Sequence, residues 1–188
     1  MRLRLTIVTC LLLLSLAATS CGYRFGHGGL PTQYRSITVP YAEGDLDGSL
    51  TAEVIRQFST AGAFEYRRCG GDLILNIKVL DFGDEDIDFR YYRNKEGKRT
   101  SETIPVETRL TVLVEVVVID AATGVSVLGP ARIEDYTDFD HDYYSTRDAV
   151  NVFSLGQLTD FDEAYDAAQR PLNQSLAKKI VNYVCDSW

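Results

Sequence analysis

The chain has 188 residues, enough for one domain or for a domain with appendages, and 45% of them are hydrophobic. Its formal net charge is −8 at pH 7. A chain this acidic repels nucleic acid unless its basic residues are clustered, so we predict no nucleic-acid partner.

The N-terminus has the layout of a secretory signal peptide. Arg2 and Arg4 precede the mainly apolar residues 5–16, and the small residues 17–20 end at Cys21. The apolar run is shorter than the ~20 residues that a spanning helix needs. We therefore predict a signal peptide over residues 1–20. The 168 residues that follow it carry 17 Lys+Arg and 27 Asp+Glu, a net charge of −10.

Cys21 stands directly after this run of small residues, an arrangement that resembles the bacterial lipobox. The resemblance implies cleavage before Cys21 and diacylglycerol on its thiol. Ala18 occupies the position where the lipobox usually has Leu. The alternative is an ordinary signal peptide followed by a structural cysteine. Two or three acyl chains make a firm anchor, because each buried CH₂ contributes ~0.8 kcal/mol.

If Cys21 carries lipid, Cys69 and Cys185 remain as a pair. An oxidising compartment permits a disulfide between them, and closing so long a loop stabilises by ~4–5 kcal/mol in the chain-entropy model. Two separate, partly buried thiols are the equally weighted alternative.

Residues 21–35 are predicted to form a Gly-rich tether. The part of the chain that follows it predicts a strand, a helix and a longer strand. The strand covers 36–39 and stops at Pro40. Apolar residues then recur at helical spacing from Leu50 to Phe58, and Gly62 suits the end of that helix. Apolar and polar residues alternate over 73–80, and strand-prone residues continue to position 92.

The second half begins with a hairpin turn over 94–98, followed by the strongest strand pattern, 108–119. Another strand starts at Val125, where Pro130 indicates an edge position or a bulge. Residues 134–160 are rich in Asp and Tyr and predict a long loop. Apolar residues at spacings of three and four from Phe161 to Val184 predict a long amphipathic helix that continues through a kink at Pro171.

This order predicts an α/β (α+β) fold with one domain over residues 36–188. Two amphipathic helices would pack on one face of a four-stranded mixed sheet, giving a two-layer sandwich.

Catalytic patterns are weak, and we predict that the protein is not an enzyme. The two histidines, His27 and His141, have no Cys or His neighbours at zinc-site spacing, and no Gly-x-Ser-x-Gly motif occurs. The acidic run 138–142 lacks the Gly and the final Glu of a calcium loop. We predict no metal and no cofactor beyond the covalent lipid on Cys21.

Basic residues concentrate at the predicted hairpin turn of this acidic chain. Two tyrosines, Tyr91 and Tyr92, lie among them. Arginine and lysine hold phosphate by charge-assisted hydrogen bonds, while aromatic rings contact acyl or sugar surface, so the cluster suits a phosphorylated amphiphile. A solvated hairpin tip without a ligand is the alternative. The cluster consists of Arg90, Arg93, Lys95, Lys98 and Arg99.

The order of these motifs resembles the lipopolysaccharide-assembly lipoprotein family LptE. The resemblance rests on Cys21-Gly22-Tyr23-Arg24-Phe25, on Leu30-Pro31, on Ile37-Thr38-Val39-Pro40 and on Asp72-Leu73-Ile74-Leu75. A helix lies between the last two motifs, and a Val-rich strand after the basic hairpin and a final amphipathic helix complete the pattern.

The resemblance implies a two-helix, four-stranded sandwich lodged inside an outer-membrane β-barrel partner, LptD. It implies a lipid-anchored protein on the periplasmic side of the outer membrane, which binds lipopolysaccharide and helps to deliver it to the outer leaflet. Among the family's lipid-binding basic residues, one corresponds to Arg93 in Tyr92-Arg93-Asn94 and another to Arg147 before Asp148. The alternative function is a general cell-envelope lipoprotein that binds another protein or peptidoglycan.

Overall fold

A computed structural model describes residues 33–93, 96–141 and 161–187, and within these it describes the side chains except those of 92, 93 and 100–102. The elements in chain order are β1 (Ser36–Thr38), α1 (Ser49–Ala61), β2 (Glu65–Tyr66), β3 (Leu73–Arg93), β4 (Arg99–Asp120), β5 (Ser126–Asp140) and α2 (Phe161–Asp186).

The strands form one mixed sheet with the order β2-β1-β3-β4-β5. β1 is parallel to β2 and β3, whereas β3, β4 and β5 form an antiparallel meander. The predicted class is therefore confirmed, but the predicted count of four strands is wrong. β2 has only two residues, too short to give a periodic pattern, and it is held by backbone bonds such as Glu65 N to Arg35 O at 2.9 Å.

Both helices and the facing residues of β3 and β4 contribute to one cluster of buried side chains. On β4, the inward positions are the alternating apolar residues of the sequence pattern, all 3% exposed or less. They meet Leu50, Val54 and Phe58 of α1 and one apolar stripe of α2. The inward positions of β4 are Leu110, Val112, Val114, Val116 and Val118.

Gly62 explains where α1 ends, and Pro171 does not interrupt α2. α1 ends at Ala61, where Gly62 has a φ of 66° and donates its backbone N–H to Phe58 O. Glycine takes this left-handed conformation without a Cβ clash. α2 continues through Pro171, whose side chain is exposed.

The predicted loop over 134–160 is wrong at its beginning, because residues 134–140 belong to β5. Asp135 is a polar residue at an inward-facing position, so it interrupts the alternation of apolar and polar residues that predicts a strand. It is 6% exposed, and its Oδ1 accepts a hydrogen bond from Lys179 Nζ of α2 at 2.8 Å. Residues 142–160 lie outside the described part of the chain. β5 forms an edge of the sheet, and its register with β4 shifts beside Pro130, as predicted.

Candidate functional site

The β3–β4 hairpin extends past the rest of the sheet. β5 last pairs with β4 at Asp140 and Glu107, yet β3 and β4 continue to pair as far as Arg93 and Arg99. At ~3.4 Å per residue, this two-stranded end extends ~25 Å beyond the third strand. We call residues 88–93 and 98–106 the hairpin tip. The tip has side chains on both faces, and none of those that the structure describes is buried.

Positive charge and aromatic surface coincide at the hairpin tip. Arg90, Lys98 and Arg99 are all exposed. The Arg99 guanidinium carbon lies 5.1 Å from the centroid of the Tyr91 ring, in cation–π range. Tyr91 is 55% exposed and Phe89 is 47% exposed. The structure therefore brings three of the predicted basic residues to one end of the molecule, beside two accessible rings.

Other predicted site residues fall outside the described part of the chain. These are Cys21, Lys95 and Arg147, together with the side chain of Arg93, whose backbone is the last described position of β3. Their predicted roles in lipidation and in lipid binding stay predictions.

Cys69 and Cys185 are free thiols in the structure. Cys69 is exposed in the loop before β3, and Cys185 is half-buried in the last turn of α2. Burial, with a smaller contribution from the carboxylate of Asp186, raises the pKa of the Cys185 thiol to about 11. A disulfide between Cys69 and Cys185 stays a prediction.

Three hydrogen-bonded side chains, which we call the buried polar chain, lie at the base of the hairpin tip: Asp86, Thr108 and His141. Thr108 Oγ1 donates to Asp86 Oδ1 at 2.8 Å and lies 2.8 Å from His141 Nε2. His141 is 2% exposed and packs against the rings of Phe139 and Phe161. Thr108 is fully buried, and the carboxylate bonds the hydroxyl rather than the imidazole. A substrate cannot reach a buried hydroxyl. These three hydrogen-bonded side chains therefore stabilise the fold and are not a nucleophile–base pair.

A cleft lies between the start of α1, β3 and α2, with a volume of about 360 Å³. Its floor is apolar, the exposed Asp47 stands on its rim, and the buried Asp45 also lines it. No sequence pattern pointed to it, because its walls come from four separate segments. The floor consists of Leu50, Val79, Phe82, Val112 and Tyr165.

Over 33–93, 96–141 and 161–187, no three His, Cys, Asp or Glu side chains are grouped as a metal site would require. Within the same ranges, no helix has the length and apolarity to cross a membrane.

The fold and the exposed tip define a small α/β sandwich whose most distinctive surface suits binding. The family model of the lipopolysaccharide-assembly family LptE matches residues 34–184. The chain therefore belongs to the LptE family, as the sequence motifs predicted, and this membership supports a role in lipopolysaccharide assembly.

Similar solved structures share the architecture. Rare lipoprotein B from Shewanella oneidensis matches with a TM-score of 0.50 and 13% identity, over 81% of this chain and 96% of its own. A protein from Xanthomonas campestris also matches with a TM-score of 0.50 and 13% identity, covering 82% of this chain and 85% of that one. At this identity, the likeness shows the fold alone. No curated protein sequence matches the chain.

Proposed function

We propose that the chain is an outer-membrane lipoprotein, anchored through lipid on Cys21, that binds lipopolysaccharide with its hairpin tip. It would assist and plug a β-barrel partner of the LptD type that delivers lipopolysaccharide to the outer leaflet. Family membership supports a role in lipopolysaccharide assembly. The stacking of Arg99 on Tyr91 is the observation that supports the hairpin tip as the binding surface.

The chemistry of the tip matches a phosphorylated lipid. Arg90 and Arg99 provide planar guanidinium groups that can bond phosphate oxygens in pairs. The exposed rings of Phe89 and Tyr91 offer apolar surface beside Arg99, whereas Arg90 lies on the opposite face of the two-stranded tip. In a chain with a net charge of −8, this local positive charge attracts an anion that the remainder of the surface repels.

The test is charge reversal at Arg99. We expect Arg99→Glu to weaken lipopolysaccharide binding about tenfold, because it replaces a phosphate-attracting charge by a repelling one and removes the stacking on Tyr91. Binding of the purified full chain to lipopolysaccharide would be measured at two salt concentrations, since charge pairing weakens as ionic strength rises.

The matched control is Arg68→Glu. Arg68 is exposed in the loop before β3, at the opposite end of that strand, so the variant has the same net charge as Arg99→Glu. Equal affinities for the two variants, with unchanged thermal unfolding, would refute the tip as the binding surface.

The β-barrel partner needs a separate measurement. Co-purification of the chain from detergent-solubilised membranes is expected to yield one large barrel protein. Its replacement by peptidoglycan or by an unrelated protein would favour the general envelope lipoprotein. Mass spectrometry of the N-terminus checks the anchor, and an unacylated Cys21 would contradict it.

A further inference from the structure

The cleft beside α1 arises because the two helices cover the sheet unequally. Asn173 Nδ2 of α2 donates to Ser49 Oγ, the first residue of α1, at 2.7 Å. From that level α2 extends twelve residues further toward the hairpin, to Phe161, or about 18 Å. Over this stretch α2 is the one described helix on the sheet, and Phe82 of β3 is 45% exposed.

The floor of the cleft offers apolar surface of defined shape. The Phe82 and Tyr165 rings meet edge to face, with centroids 6.5 Å apart. Burial, with smaller contributions from nearby carboxylates, raises the pKa of the Tyr165 hydroxyl, so its ring remains neutral at physiological pH. A volume of about 360 Å³ is near the lower end of the range of small-ligand sites.

The rim is acidic and held in place. Asp45 Oδ2 accepts from the backbone N–H and the hydroxyl of Thr51, at 2.8 and 2.6 Å. Asp47 Oδ1 accepts from the backbone N–H and the hydroxyl of Ser49, at 3.1 and 2.8 Å. These bonds lower the pKa of Asp47, which is therefore ionised. A carboxylate has about four acceptor positions, so Asp47 can still accept from a bound cation.

No Lys or Arg lines the cleft among the described residues. Leu46 stands on its lip between the two aspartates and is 99% exposed. The bonds of Asp45 and Asp47 fix the loop on either side, so the leucine is presented on a supported turn. Asp47 also borders a neighbouring depression that contains Arg56 and Arg170, but neither of these lines the cleft. An apolar floor, an exposed leucine and an anionic rim together select an apolar group that carries positive charge.

We infer that this cleft docks a segment of a protein partner in which an apolar side chain is flanked by Lys or Arg. The apolar side chain would fill the space above Phe82 and Tyr165, beneath Leu46, and the flanking cation would pair with Asp47. A phosphorylated lipid is disfavoured here, because its charge has the same sign as the rim. The inference is independent of the proposed function, since Phe82 lies eight residues, ~26 Å, from Arg90 along β3.

The experiment uses the full chain in lipid nanodiscs and fluorescein-labelled hexapeptides, read by anisotropy. The probe has an Arg-Leu-Arg centre, and the comparison peptides have Ser-Leu-Ser, Glu-Leu-Glu and Arg-Ser-Arg centres. We expect the probe alone to bind with a Kd below about 1 mM. Equal binding of an uncharged or acidic peptide, equal binding of the Arg-Ser-Arg peptide, or no binding of the probe would each overturn the inference.

Two variants locate the binding. Asp47→Asn keeps an oxygen acceptor for Ser49 but removes the charge, and it should weaken probe binding about fivefold. Gln169→Trp places a large side chain in the cleft from α2 and should abolish binding. The controls are Asp186→Asn, which removes an exposed carboxylate at the far end of α2, and Ser175→Trp, which adds an exposed ring to the same helix.

Both controls are expected to bind like the unaltered chain. If Asp186→Asn lost as much affinity as Asp47→Asn, binding would reflect net charge and the inference would fail. Displacement of the peptide by added lipopolysaccharide in the Arg99→Glu variant would also overturn it, because an acyl chain would then be the occupant. None of these readouts depends on lipopolysaccharide binding at the tip, so the failure of either proposal can be recognised separately.

Discussion

At the scale of single residues, the polar side chains inside the structure are matched to partners that lie far away in sequence. Thr108 joins Asp86, 22 positions before it, to His141, 33 positions after it. Asp135 of β5 meets Lys179 of α2 across 44 positions. Such pairs leave no local pattern in the sequence, because a buried polar residue in a strand is of the same type as the polar residues that are common in loops. This is why residues 134–140 were predicted as loop.

Replacement of Thr108 by Val tests the buried chain. The change keeps the side-chain shape but leaves His141 Nε2 without its partner in a site that water does not reach. We expect the free energy of unfolding to fall by about 1–3 kcal/mol. Urea denaturation provides the measurement. Thr111→Val is the control, since Thr111 is a half-buried residue of the same strand that points to the opposite face. An equal effect in both variants would assign the loss to strand propensity.

At the scale of elements, periodicity located the helices and the long strands, and it failed where an element is very short or is stabilised by tertiary contacts. The strand predicted over 73–80, with an extension to 92, is β3, Leu73–Arg93. The strand predicted over 108–119 begins earlier, at Arg99. Its first half is polar and has no strand pattern in the sequence, but it is hydrogen-bonded to the partner strand β3. β2, at the edge of the sheet, is paired with β1.

Pro171 tests the long helix. It lies inside α2 with no N–H for the helical hydrogen bond, and a proline in a helix interior costs about 3 kcal/mol. We expect Pro171→Ala to raise the free energy of unfolding by as much as about 2–3 kcal/mol, less a few tenths for the more flexible unfolded chain. Thermal unfolding would show a higher Tm. Ser175→Ala, one turn later and equally exposed, should change it little. A lower Tm for Pro171→Ala would mean that the packing of α2 on the sheet requires the proline.

At the scale of the whole molecule, stability and binding reside in different regions. The buried cluster joins both helices to the inner face of the sheet, whereas the hairpin tip and the cleft lie where that cover ends. Rings such as Phe89 and Phe82 are therefore about half exposed. Changes at the exposed side chains of these surfaces should therefore alter binding with little loss of stability, whereas Leu50 and Val112 of the cleft floor belong to the core.

Two phenylalanines provide a matched comparison of these regions. Phe58 of α1 is 0% exposed and packs edge to face against Phe64, while Phe89 at the tip is 47% exposed. We expect Phe58→Ala to lower the free energy of unfolding by about 3–5 kcal/mol, through lost burial and the cavity left behind. Phe89→Ala should lower it by less than about 1 kcal/mol. Chemical denaturation of both variants measures the difference, and similar losses would mean that the tip belongs to the cooperative core.

The sequence by itself determined the class of fold, the two helices, the long antiparallel strands, the basic hairpin and the family, because each depends on local periodicity or on ordered motifs. Only the tertiary structure decided the fifth strand, the extension of β5, the polar chain through His141 and the acidic cleft. These features depend on contacts between residues distant in the chain, and their free energy comes from burial and pairing that no single segment encodes.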